Sequence, residues 1–169
     1  MDVKEAILTR RSIRRFTGEG VNEALLTEIL RAAMAAPSSK NEQPWTFIVV
    51  DDRRLLEEIP RFHPYAEMLK SAPVAILVCA DRRRFLSEEV WIQDCAAATE
   101  NILLSAHGLG LGAVWLGIYP RVKRVKGMTK LLGLPEHIIP FSLVALGYPA
   151  ERKPPADRYD PGRIHKNRW

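Results

Sequence analysis

A layered α/β domain, with about four apolar strands and about five or six helices, the longest of them central, is the fold class this sequence predicts. Three observations carry the prediction. Short β-branched and aromatic runs, WTFIVV and VAILVCA among them, are bounded by prolines and aspartates. Longer segments with apolar residues at helical spacing lie between these runs. The chain has 169 residues, 47% hydrophobic and 27% charged, the size and balance of one globular domain.

Asp2, with Glu5 three residues on, makes a capping box for a short helix that ends near Thr9. Asn22 caps a longer helix whose stripe is Leu25, Leu26, Ile29, Leu30, Ala33 and Met34, until Pro37 stops it. After the loop PSSKNEQP comes WTFIVVD, read as a buried strand, and DRRLLEEI and PYAEMLKS follow as short helices. VAILVCA, from Val74 to Ala80, is the second buried strand. The segment from Ser87 to His107 suits a central helix of about five turns, with Gly108 as its stop. AVWLGI is a third strand, a basic helix runs from about Arg121 to Leu132, and a fourth strand spans about Pro140 to Leu146. Beyond Gly147 the chain is polar and proline-rich. RIHKNRW would supply a fifth strand only by exchange between protomers, because a single chain offers it no place.

Lys and Arg number 25 against 20 Asp and Glu, a formal charge of +5. The cations cluster at Arg10 to Arg15, Arg82 to Arg84, Arg121 to Lys126 and in the tail. A nucleic-acid surface and a phosphate-bearing small cofactor both fit that excess, and charge alone does not choose. Cys79 and Cys95 lie in apolar stretches without metal-ligand spacing, so buried free thiols in a reducing cytoplasm are expected. The start MDVKEAILTRR lacks the features of a signal peptide. The charge-free stretch from Asn101 to Pro120 holds four glycines and reads as helix end, turn and strand, so no membrane span is expected.

Several chemistries are disfavoured by context. GLGLGA fits a relaxed dinucleotide-binding pattern, but a helix precedes it and a strand follows, the reverse of what that motif needs. The histidines at 63, 107, 137 and 165 are scattered, and no G-x-S-x-G is present. Glu88, Glu89 and Asp94 read as the solvated start of a helix. Two segments stand out. RRSIRRF, Arg10 to Phe16, is either a solvated helix end or a set of guanidinium forks and a hydroxyl for a dianion. PSSKNEQPW is either a capped turn or a loop whose Ser38, Ser39, Asn41 and Gln43 meet a flat ligand with polar edges.

Four segments in order, RRSIRRF, AAPSSKNEQPWTFIVV, GLGLGAVWLGIYP and LVALGYPAERKPP, make the chain resemble the nitroreductase family of FMN-dependent oxidoreductases through nearly its whole length. The resemblance implies an α+β fold with a central, mostly antiparallel sheet flanked by helices, and an interlocked homodimer with one FMN in each of two interface pockets. The whole chain, 1–169, would be one FMN-binding domain, with 151–169 an extended tail packed on the partner protomer. Carried over by position, Arg10, Arg11 and Ser12 would hold the FMN phosphate, with Lys153 and Arg158 completing that site. Arg14 would lie near N1 and the C2 oxygen of the ring, an electrostatic role in a site that needs no catalytic side chain. Pro37, Ser38, Ser39 and Asn41 would come from the other protomer, and Gln43 would lie near the ring or support the loop. Leu116 and Gly117 would offer amides to N5 and O4, where a small residue lets the backbone approach. Phe62, His63, Pro64, Tyr65 and the segment 82–91 would line the mouth. NADH or NADPH would give hydride to N5, and a nitroaromatic, quinone or related small acceptor would take it in ping-pong fashion. The rival readings are an FMN-binding sensor or carrier without turnover and a basic nucleic-acid module.

Overall fold

The first two helix starts fall where the capping residues put them. In the computed structural model, which describes residues 1–169, Asp2 Oδ1 accepts the Glu5 amide at 2.8 Å and α1 (Val3–Thr9) follows. Asn22 Oδ1 accepts the Leu25 amide at 2.9 Å and opens α2 (Glu23–Met34). Each bond satisfies an amide that the helix itself leaves unpaired. The other elements are α3 (Arg53–Glu58), α4 (Trp91–Gly108) and α5 (Val122–Leu132), with strands β1 (Trp45–Val50), β2 (Val74–Asp81), β3 (Gly112–Gly117) and β4 (Ile138–Gly147).

The strands form one sheet in the order β1-β2-β4-β3, with every neighbouring pair antiparallel. The architecture is the α+β one expected. β2 is buried along its full length, and its side chains alternate between two cores. Ile76, Val78, Val144 and Leu146 pack under α2 and α4, and Leu77, Cys79, Leu143 and Ala145 pack under Leu56 of α3 and Met128 of α5. Helices therefore cover both faces, and both thiols are free and buried.

Four expectations change. β1 is a sheet edge, with its middle half-buried and Val49 exposed, so its apolar run does not mark a buried strand. PYAEMLKS forms only a 3-10 turn at Glu67–Lys70. The central helix starts at Trp91, four residues late, where the indole is buried among Phe85, Tyr119 and Phe141. Asp94 in its first turn is only 5% exposed, so it is no part of a solvated helix start. The tail from Glu151 has no regular element apart from one 3-10 turn at Pro161–Arg163, and RIHKNRW adds no strand to this chain's sheet.

Candidate functional site

The arm Arg10–Phe16 lies along the free edge of β3. Ser12 bridges Ala113 in parallel, and the Ile13 amide donates to the Ala113 carbonyl at 3.0 Å. Gly112 makes this approach feasible, since a Cβ there would sit 2.7 Å from Ile13 Cγ2. The tail then closes over the arm. Lys153 Nζ donates to the Ser12 carbonyl at 2.7 Å, and Arg11 Nη1 donates to the Pro154 carbonyl at 2.8 Å. Glu151 Oε1 accepts the Arg14 amide at 2.5 Å and lies 3.2 Å from Lys153 Nζ. The Arg14 amide, with Lys153 beside it, holds the Glu151 carboxyl below its usual range.

Arg11, Arg152, Lys153, His107 and Gly110 line a cavity of about 350 Å³ beside the arm. His107 Nε2 lies 2.8 Å from Thr9 Oγ1, whose hydroxyl donates to the Glu5 carbonyl at 2.7 Å. The hydroxyl proton is thus committed, so Nε2 is the donor to Thr9. Burial, and then the Arg10 charge, push the His107 pKa down. Arg10 itself pairs with Glu100 at 3.4 Å and does not line the cavity. The Arg14 side chain is exposed, and Arg158 stands exposed in the tail, outside this cavity.

A second cluster occupies the loop 37–43. Ser38 Oγ accepts the Gln43 amide at 3.0 Å, and Gln43 Nε2 donates to Asn41 Oδ1 at 2.9 Å. Lys40, Asn41 and Gln43 have φ of 50°, 57° and 48°, a left-handed conformation that costs roughly 1 kcal/mol or more per non-glycine residue. Asp94 Oδ1 anchors the loop by accepting the Ser39 amide at 3.0 Å, while Asp94 Oδ2 and Glu42 Oε2 are buried without partners. Pro37 is exposed at the loop's entry. This loop feeds β1, whereas the arm flanks β3, so the two clusters sit at opposite edges of a four-stranded sheet. At ~4.8 Å per strand the edges are about 14 Å apart, and one chain does not bring the clusters together.

Leu116 and Gly117 end β3 on the arm's edge. Leu116 is buried, and the Gly117 carbonyl accepts from His63 Nε2 at 3.0 Å and Arg124 Nη1 at 2.7 Å. A Cβ on Gly117 would meet nothing nearer than Arg124 Nη1 at 4.0 Å. The chain's own packing therefore does not require glycine here, in contrast to Gly112 against Ile13 and Gly127 against the Phe62 ring. The face at Gly117 is open at the strand end, and the cavity beside the arm carries three cations, Arg11, Arg152 and Lys153, against the one carboxylate of Glu151. The sequence does not mark Asp94, Glu151, His107 or Arg124 as site residues. Glu151 and Arg124 each sat within a charge cluster, and nothing local distinguished them.

A sheet that carries a basic, glycine-edged cleft on one side and a strained polar loop on the other defines an α+β protein with its candidate binding elements divided between two edges. The chain belongs to the nitroreductase family, whose model matches residues 7–63 and 61–148. It is 54% identical to a protein of Methanothermobacter thermautotrophicus that bears the provisional name NADH dehydrogenase/NAD(P)H nitroreductase, over 100% of this chain and 88% of the relative. A crystal structure from Parabacteroides distasonis under the same provisional name superposes with a TM-score of 0.95 at 41% identity, covering 99% of this chain and 98% of that one. A provisionally named nitroreductase of Desulfovibrio desulfuricans, solved in complex with FMN, superposes with a TM-score of 0.86 at 33% identity over 100% and 98% of the two chains.

Proposed function

We propose that this chain is an FMN-dependent NAD(P)H oxidoreductase that works as a homodimer and reduces nitroaromatics, quinones or related small acceptors. The observation that carries the reading is the convergence of Arg11 and Lys153 on a cavity beside the open, glycine-ended strand β3. Two cations at one point suit a phosphate monoester, and a bare strand end suits a flat ring. The FMN complex of the Desulfovibrio relative supports the cofactor, and the name of the archaeal relative supports the nicotinamide donor.

FMN held there would supply the hydride chemistry between NAD(P)H and the acceptor. The chain's residues bind and orient. Arg11, Ser12 and Lys153 hold the phosphate, with Arg10 and Arg158 as outer cations. Arg14 places positive charge near the pyrimidine side of the ring, which favours the anionic reduced state. The Leu116 and Gly117 backbone faces the ring edge. Pro37, Ser38, Ser39, Asn41 and Gln43 come from the partner protomer and cover the opposite side, and donor and acceptor use the remaining opening in turn, as ping-pong kinetics requires. The tail 151–169, with Tyr159, Ile164 and Trp169 exposed, lies on the partner, and the buried thiols suit a reducing cytoplasm.

Two experiments test this. Purified protein should show flavin absorption near ~450 nm that bleaches anaerobically with NADH or NADPH. A colourless protein that takes up no added FMN overturns the cofactor, and bound flavin that neither donor reduces overturns the activity. For the shared pocket, Arg11→Ala chains are co-expressed with Asn41→Ala chains. A cross-protomer site restores flavin to one of the two pockets in the mixed dimer, whereas a site within one chain restores none.

A further inference from the structure

Arg124, in the first turn of α5, is a half-buried cation without a counter-charge. It takes part in none of the chain's ion pairs, and α5, VKRVKGMTKLL, contains no carboxylate. One of its N–H groups is committed, Nη1 to the Gly117 carbonyl at 2.7 Å. Its guanidinium carbon stands 5.6 Å from the centre of the Tyr65 ring, a cation–π distance, and Tyr65 is 69% exposed. The guanidinium also borders the empty side of Gly117.

His63, only 1% exposed, completes the arrangement without adding charge. A carbonyl only accepts, so Nε2 carries the proton in the 3.0 Å bond to Gly117, and Nδ1 is the acceptor for the Tyr65 amide at 3.3 Å. The imidazole is therefore neutral, a state that burial and the neighbouring Arg124 both favour. It braces the Gly117 peptide and the Tyr65 backbone together. Arg124 is left as the cation facing the open strand end, with Arg121 and Lys123 exposed nearby in sequence.

We propose that Arg124 and the Tyr65 ring form a recognition point for an anionic oxygen group, carboxylate or phosphate, on a planar aromatic substrate that enters over Gly117. The inference rests on the reading of Gly117 as the flavin edge. A guanidinium presents five donors in a planar fork, and the unused ones match two oxygens of one anion. The tyrosine face adds stacking for the attached ring. The anion has two sources: a carboxylate on the acceptor, or the 2′-phosphate of NADPH.

The test uses the FMN-loaded protein and compares 4-nitrobenzoate with neutral 4-nitrobenzamide, and NADPH with NADH. With the acceptor as source, Arg124→Gln lowers the preference for nitrobenzoate over nitrobenzamide about tenfold or more, and Arg124→Lys regains part of it. With the dinucleotide as source, the ratio of NADPH to NADH kcat/KM falls about as much, and the nitrobenzoate preference stays. Tyr65→Leu, at an exposed position, is expected to lower the same ratio about threefold or more and serves if Arg124→Gln does not fold. Ratios that move for neither pair overturn the proposal. Wild-type protein that binds no FMN overturns the oxidoreductase reading instead. Calorimetric titration of the unloaded protein with 4-nitrobenzoate then decides: weaker binding by Arg124→Gln supports the recognition point, and equal or absent binding rejects it.

Discussion

Asp94 shows how much one side chain can fix. It holds the Ser39 amide across 55 residues of sequence and keeps a loop with three left-handed residues in place. Asp94→Ala should cost about 1–3 kcal/mol and weaken FMN binding, measured by thermal melts and flavin titration; unchanged flavin affinity would remove the loop from the pocket. A second buried pair is Thr99 and Ser142, hydroxyl to hydroxyl at 2.8 Å, with Thr99 already donating to the Cys95 carbonyl at 2.7 Å. The proton between them therefore belongs to Ser142. Thr99→Val strands that donor at a cost of about 1–3 kcal/mol, and adding Ser142→Ala should recover part of the loss in a double-mutant cycle. The histidines set a pH dependence. His63 and His107 both have pKa values lowered from the ordinary 6.5, His63 by burial and then Arg124, His107 by burial and then Arg10. The unfolded chain then binds more protons just below that value, so stability is complete above it and declines as the pH falls through it. Melting midpoints from pH 8 to pH 5 should fall, and fall less in His63→Gln; identical slopes would show that His63 does not contribute. None of these contacts was legible in the sequence. Asp94 looked like any acidic residue at a helix start, because the partner that gives it meaning lies in a distant loop.

At the scale of elements the sequence was more open. Capping residues, apolar stripes and β-branched runs report local preferences, and they located α1, α2, β2 and β4 to within two residues at each end. Tertiary packing moved the start of α4, where the indole is buried, and PYAEMLKS closed into a 3-10 turn instead of a helix. The arm is an element of this second kind. Nothing local says that Arg10–Phe16 runs beside β3, yet Gly112 is what allows it. Gly112→Ala should cost about 1–3 kcal/mol and loosen FMN as the arm is pushed outward, with Ile13→Ala restoring flavin affinity in the double variant. If Gly112→Ala binds flavin normally, the arm is not part of the site. At the end of α5, Gly133 adopts φ 63° as its cap, and Gly133→Ala should lower stability by about 1 kcal/mol in chemical denaturation without touching flavin affinity.

At the scale of the whole molecule, the four ordered segments point to the family, but no in-order reading of one chain places two clusters on opposite sheet edges. That division of the site is the part that only three dimensions display. The sheet order has a further consequence, for how the protein is made. β4, between β2 and β3, is the last of the strands to leave the ribosome. At ~10 residues per second, β2 waits on the order of 6 s for its second neighbour, with β1 as its only paired strand. During that interval the uninterrupted apolar run VAILVCA is an open template for other nascent chains. Yield of folded protein in a cell is therefore governed by crowding of half-made chains, and slower, cooler expression should raise it.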